Sequence, residues 1–320
     1  MTKLKFIDLF AGIGGFHMAF DSLGAECVFA SEIDEPARKT YEANFKDTSP
    51  QIFDGSNFNN DILKIDYSKM PDFDILCAGF PCQPFSQAGH KRGFDEGKDS
   101  RGNMFFVLRD IIKEKRPKAI FLENVRHILK HDEGNTFQVI KEIIEDELNY
   151  ELYYKVVKAS DYGLPQHRAR VYMIAFDKEL GLPKDFVFPE PRKLKYNMSD
   201  IWGGECPREI GFTLRVGGRG SKIDDRRNWE FYYVDGEVKR LGIKEGKMMM
   251  GLPESFLFPV SERQAMKQLG NSVAVDAIRL VGESLLQHLN KRQSTPVMVV
   301  NNKTGIFDIN YEKNKKYAEA

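Results

Sequence analysis

An α/β fold built on an open sheet is what this 320-residue chain predicts, and three observations carry that expectation. Short apolar runs that suit buried strands, such as Phe73-Asp74-Ile75-Leu76-Cys77-Ala78-Gly79, alternate with segments carrying a helical stripe, such as Met104 to Lys115. A first strand runs through a glycine-rich turn straight into a helix. From about Asp177 the pattern changes: Pro183, Pro189, Pro191 and Pro207 break periodicity and glycine becomes frequent.

Bulk properties narrow the function classes. With 42% hydrophobic residues the chain can bury a large core, as one big domain or two unequal ones. No apolar run approaches the roughly 20 residues of a membrane span. Met1-Thr2-Lys3-Leu4 passes directly into a strand-like pattern without a signal peptide. The four cysteines, Cys27, Cys77, Cys82 and Cys206, show no CxxC spacing, so a reducing cytoplasm and no metal site are expected. The 47 basic residues balance the 47 acidic ones, so any nucleic-acid contact has to come from a local patch.

Taken in order, Lys3 to Leu9 predicts the first strand, Phe10-Ala11-Gly12-Ile13-Gly14-Gly15 a tight turn, and Phe16 to Phe20 a helix. Glycine lets backbone approach a ligand and a helix start offers free N–H groups, so this is a nucleotide-type cradle. Its spacing is not GxGxxG, so the dinucleotide fingerprint is not met. Cys27 to Ser31 predicts a second strand that ends at Glu32, an acid placed either for ribose hydroxyls or as a solvated strand end. A helix is expected over Ala37 to Asn44. Asp61, before Ile62, suits an adenine amino group or caps a turn. The strand ending at Gly79 delivers Phe80-Pro81-Cys82-Gln83, and Cys82 reads as a reactive thiol or as a small buried hydrophobe.

Beyond a segment dotted with Gly89, Gly93, Gly97 and Gly102, a helix with Phe105, Leu108, Ile111 and Ile112 on one face ends before Pro117. Lys118 to Leu122 predicts a strand ending at Glu123-Asn124-Val125, in the layer where open α/β sheets keep their active groups. Thr136 to Leu148 predicts a helix, and Tyr150 to Lys158 and Val171 to Phe176 predict strands. Arg168 and Arg170, two apart on extended backbone, share a face, and His167 takes the other. From Arg208 to Trp229 six positive charges stand against three negative ones, and Gly217, Gly218 and Gly220 allow close backbone approach, as a phosphate backbone would need. Phe231 to Val234 and Val238 to Leu241 predict a hairpin about Asp235-Gly236. Lys247 to Met250 reads as helix packing. Gly270-Asn271-Ser272-Val273 is expected to start a helix reaching His288, its Asn and Ser serving as caps or as donors to a carboxylate. The tail from Lys291 is polar and is expected to be partly disordered.

In this order the stretches resemble the DNA (cytosine-5) methyltransferase family of the prokaryotic restriction-modification type. The resemblance rests on Phe6 to Gly15, Gly79-Phe80-Pro81-Cys82-Gln83 with Phe85-Ser86, Glu123-Asn124-Val125, Gln166 to Tyr172, and Gly270 to Val273. It implies a mostly parallel, Rossmann-like methyltransferase sheet facing a smaller target-recognition domain across a DNA cleft. The implied domains are residues 1–177 for catalysis and S-adenosylmethionine binding, 178–240 for target recognition, 241–269 as hinge, 270–290 as a helix returning to the catalytic domain, and 291–320 as tail.

The resemblance also implies chemistry. A thiolate adding at C6 makes cytosine C5 nucleophilic toward a sulfonium methyl, and it must later leave again, which suits Cys82 better than a serine. Glu123 would serve N3 as an acid, Arg170 would hold O2, and Arg168 would support the loop or the phosphates. The base would be flipped out of the duplex, and the loop from Gln83 to Gly102 would close over it. Phe10, Gly12, Gly14, Gly15, Glu32, Ile33, Asp61, Ile62, Phe80, Pro81, Asn271 and Ser272 would bind S-adenosylmethionine, leaving S-adenosylhomocysteine. Ser86, Gln87, Arg215, Arg219 and Lys222 would contact double-stranded DNA, with base reading starting near Thr213-Leu214-Arg215. A monomer is implied, with a cognate restriction endonuclease acting on the same site. Three rivals stay open: a dehydrogenase using the same turn and Glu32, an RNA cytosine methyltransferase on this scaffold, and a silent DNA-binding protein.

Overall fold

The computed structural model describes residues 3–81, 104–217 and 220–291, together with the backbone of Val297–Val300 and Phe307–Asn310. Seven strands form the main sheet: β1 (Lys5–Leu9), β2 (Glu26–Ser31), β3 (Phe58–Asn59), β4 (Ile75–Gly79), β5 (Ala119–Val125), β6 (Tyr150–Lys158) and β7 (Ala169–Asp177). Their spatial order is β3-β2-β1-β4-β5-β7-β6. The first five are mutually parallel, and β7 and β6 add antiparallel at the far side. The expected mostly parallel sheet is present.

The period-two alternation of the strands divides their side chains between two cores. Phe6, Ile75, Cys77, Phe121 and Ile174 face one side, where α1 (Gly15–Asp21) and α9 (Val275–Asn290) pack. Ile7, Leu9, Leu76, Ile120 and Met173 face the other, against α4 (Met104–Lys115) and α5 (Asn135–Glu142). The α4 stripe Phe105, Leu108, Ile111 and Ile112 is buried throughout, worth about 1.5–3 kcal/mol per side chain. α2 (Glu35–Phe45) closes the first core through Tyr41 and Phe45, and His17 stacks on Phe45 with ring centroids 4.0 Å apart. The remaining α-helices among the described residues are α3 (Pro50–Phe53), α6 (Met198–Trp202), α7 (Ile243–Met250) and α8 (Glu262–Asn271). β8 (Phe231–Val234) and β9 (Glu237–Arg240) form the expected hairpin, turned by Asp235 and Gly236 at positive φ. The first core continues without a break into this region through Leu214, Trp229, Tyr232, Leu241 and Met249.

Three expectations need adjusting. Gly270 and Asn271 do not start a helix; they end α8, with Ser272 as its C-cap. α9 begins at Val275 behind Ala274, which offers no side-chain cap. The helix expected to Leu148 is α-helical only to Glu142 and widens into a π-turn over Ile143–Glu147. The remaining strands, β10 (Val297–Val300) and β11 (Phe307–Asn310), pair antiparallel within the otherwise undescribed tail.

Candidate active site

A cleft of about 700 Å³ opens at the C-terminal ends of the parallel strands. Its walls come from the turn after β1 (Phe10, Gly12, Ile13), the end of β2 (Ser31, Glu32, Ile33), Asp61 and Ile62, the end of β4 (Gly79, Phe80, Pro81), the end of β5 (Glu123, Asn124, Val125), Arg168 and Arg170, and Gln268, Gly270 and Asn271.

At one end, the Glu32 carboxylate is fixed by two backbone donors. Gly12 N–H donates to Oε2 and Asp34 N–H to Oε1, each at 2.7 Å. Each oxygen keeps a lone pair, so two adjacent hydroxyls could still be accepted. Burial raises the Glu32 pKa, against the pull of those N–H groups. Phe10 stands at φ 55, a strained conformation for a non-glycine residue. Gly12, at φ 57, has nothing within 4 Å of where a Cβ would stand, so the space above it belongs to the cleft. Ile33 lies 75% exposed at this wall. Asp61 does cap the following turn, accepting from Leu63 N at 3.1 Å, and it lines the cleft as well.

At the other end, in-register pairing sets Glu123 beside Gly79 on β4 and Tyr172 on β7. Arg170 Nε contacts Glu123 Oε1 at 3.1 Å. Burial raises the Glu123 pKa, and the charges of Arg170 and Arg168 oppose that rise. Asn124 Nδ2 donates to the Phe80 carbonyl at 2.9 Å, which locks the residue pair before Cys82 to the β5 strand end. Arg168 is buried, and burial pushes its pKa down to about 9, so it stays charged at neutral pH. Its Nη atoms donate to the carbonyls of Leu214 (3.4 Å), Gly270 (3.1 Å) and Ser272.

Not every expected residue meets the cleft. Gly14 and Gly15 pack instead: a Cβ on Gly14 would fall 2.2 Å from the Phe45 ring, and one on Gly15 would fall 2.6 Å from Val273 Cγ2. Ser272 is buried behind the wall, its carbonyl taken by Arg168. Arg215 and Lys222 are exposed on the smaller region. Cys82, Ser86, Gln87 and Arg219 lie outside the described residues. Sequence reasoning did not single out Asn124 or Gln268. Gln268 joins the wall to α2 by accepting from Thr40 Oγ1 at 2.9 Å.

Two buried or half-buried carboxylates, Glu32 and Glu123, stand at the C-terminal strand ends of an open sheet, where α/β enzymes keep their sites. The model of the C-5 cytosine-specific DNA methylase family matches residues 4–214 and 210–287. The chain belongs to that family and is a DNA (cytosine-5)-methyltransferase. It is 36% identical to the type II methyltransferase M.HhaI of Haemophilus parahaemolyticus, over 91% of this chain and 96% of that one. It is 40% identical to M1.ScrFI of Lactococcus lactis subsp. cremoris, over 91% and 80% of the two chains. The fold is shared with a crystallised DNMT2 of Spodoptera frugiperda, at TM-score 0.65 and 22% identity, covering 89% of this chain and 100% of that one. It is also shared with a putative prophage-encoded DNA modification methyltransferase from E. coli, at TM-score 0.68 and 20% identity, covering 90% and 100%.

Proposed function

We propose that the chain transfers a methyl group from S-adenosylmethionine to C5 of a cytosine flipped out of double-stranded DNA, through a covalent adduct at Cys82. The observation that carries this reading is the Glu123–Arg170 pair beside Phe80-Pro81, at the opposite end of one cleft from the Glu32 seat.

The cleft suits the cofactor. Its volume falls within the usual range of about 300–1,000 Å³ for ligand sites. Glu32 has lone pairs for the two ribose hydroxyls, Phe10, Asp61 and Ile62 stand where an adenine would lie, and Asn271 serves the amino-acid end. S-adenosylmethionine supplies an electrophilic methyl group when bound. The chain's own residues do the rest. The Cys82 thiolate forms a bond to C6, and the ring electrons move toward C5. Glu123, its pKa raised by burial, acts as the acid that donates to N3 as charge builds there, and Arg170 holds O2. After methylation C5 loses its proton, the C6–Sγ bond breaks and the thiolate leaves.

Residues 1–177 and 270–290 form the catalytic domain in this reading, 178–240 the target-recognition domain, 241–269 the hinge and 291–320 the tail. The basic segment from Arg208 to Arg227, including Arg215, Arg219 and Lys222, contacts the DNA in this reading, as do Ser86 and Gln87. The enzyme works as a cytoplasmic monomer and protects its site from a cognate endonuclease. Cys82→Ala is expected to abolish methyl transfer and leave cofactor binding intact. A duplex carrying 5-fluorocytosine at the target should trap a Cys82 adduct, because fluorine cannot leave as a proton does. Turnover of ordinary DNA with no such adduct would sink the covalent route.

A further inference from the structure

The chain leaves β5 at Val125, which lines the cleft and pairs with Arg170 in the sheet. The next turn is pinned from inside: Ile128 is buried and Leu129 packs on the second core. That leaves Arg126, His127 and Lys130 exposed on the turn that follows Val125 of the cleft wall. Asp132 (φ 51), Glu133 (φ 56) and Gly134 (φ 95) then follow, three left-handed residues in succession. The two that are not glycine cost about 1–3 kcal/mol each. His131 Nδ1 closes the turn on Thr136 Oγ1 at 2.6 Å. A strained, internally anchored turn is a fixed platform for whatever it exposes.

What its first part exposes is positive charge that no carboxylate among the described residues pairs. Among the described residues neither Arg126 nor Lys130 forms an ion pair. Some exposed lysines elsewhere do, as Lys39 with Glu35, Lys46 with Glu42, Lys69 with Asp66 and Lys184 with Glu151, whereas Lys113, Lys155 and Lys158 resemble Arg126 and Lys130 in this but lie away from the cleft wall. Asp132 and Glu133 follow directly, yet no ion pair joins them to this turn among the described residues. We propose that the Arg126–Lys130 turn is a phosphate-gripping rim, which holds the DNA backbone on the catalytic side of the cleft, opposite the basic segment of the smaller region. This rests on the function proposed above and adds the strand contact that keeps the flipped nucleotide's neighbours over Glu123. Such contacts fix register and carry no sequence information.

The test is the salt dependence of duplex binding by the S-adenosylhomocysteine-loaded enzyme. Arg126→Gln, Lys130→Gln and the double variant are compared with wild type and with Lys184→Gln, an exposed lysine paired with Glu151 of β6 at the sheet's edge. Each phosphate contact contributes about 0.9 to the slope of log K against log[salt], so the double variant is expected to lose about 1.8. The fall in affinity should be equal for a random-sequence duplex and for one made only of A·T pairs. Lys184→Gln should match wild type. An unchanged slope in the double variant overturns the rim and leaves the proposed function standing. So does a loss confined to the cytosine-containing duplex, because that marks base reading. A wild-type enzyme that binds no duplex overturns both.

Discussion

Glu123 is held between two opposing effects. Burial raises its pKa from the ordinary 4.5, while the neighbouring guanidinium charges of Arg170 and Arg168 pull it back, and burial wins. A carboxyl group that holds its proton to higher pH than an ordinary glutamate suits the proposed donation to N3 of an activated cytosine. Glu123→Gln is therefore expected to lower kcat by about 10²–10⁴ with little change in cofactor affinity, as single-turnover assays and calorimetry would read. The stability effect has a definite sign. Below about 4.5 both folded and unfolded states hold the proton, and burial costs nothing extra. As pH rises from there through the raised folded value, the unfolded state ionises first and the native state loses stability. The difference in Tm between Glu123→Gln and wild type should thus move in favour of the variant as pH climbs from the acid range to neutrality. Glu32 carries a separate role. Removing its carboxylate in Glu32→Ala strips two cradle N–H groups of their acceptor and removes the seat for the hydroxyl pair. Cofactor Kd is expected to rise at least tenfold, about 1.4 kcal/mol or more, while DNA binding without cofactor stays put; the reverse ranking refutes the seat.

Helix α1 shows how closely one element can be tied to the site without touching it. Gly15 sits at its first turn, and an added Cβ would meet Val273 Cγ2 at 2.6 Å and Ser272 Oγ at 3.2 Å. Gly15→Ala is expected to cost about 1–3 kcal/mol through overpacking. It should also weaken cofactor binding, because the displaced loop carries Asn271. Gly24→Ala, at φ 82 with nothing within 4 Å, tests backbone strain without the clash and should leave cofactor Kd unchanged. What the sequence disclosed at this scale follows from locality. β1, β2, β4 and β5 are runs of buried residues whose apolar character needs no partner to be read. α8 was missed because its buried face is Ala265, Met266, Gln268, Leu269 and Gly270, which mixes an amide and a glycine into the stripe. β3 has only two residues, too few to show a period. Asn124 and Gln268 escaped for another reason: their partners, Phe80 and Thr40, are 44 and 228 residues away in sequence. The Glu123–Arg170 pair was legible only as two strand-end residues whose meeting the antiparallel β5–β7 register creates.

Across the whole molecule, Arg168 joins what the chain otherwise keeps apart. The carbonyls of Leu214, Gly270 and Ser272 converge on its guanidinium, so the segment at Leu214 and the loop around Asn271 share one bracket. Gly270 lets the two segments touch: a Cβ there would stand 2.7 Å from the Arg215 carbonyl carbon. In the proposed function, ordering the loop around Asn271 by cofactor would therefore also order the backbone leading to Arg215. The expected consequence is positive coupling between cofactor and DNA, in the usual range of about 1–3 kcal/mol or 5–150-fold. Linkage requires S-adenosylhomocysteine to tighten DNA binding by the same factor by which DNA tightens S-adenosylhomocysteine binding. Arg168→Lys keeps a cation in the site but replaces the planar fork with a single ammonium, which cannot span three carbonyls. In the folded Lys variant both factors should shrink together toward one, while each ligand's affinity alone falls much less. Four dissociation constants per protein close the cycle. A Lys variant that retains the full wild-type coupling would show that the two regions communicate by another route.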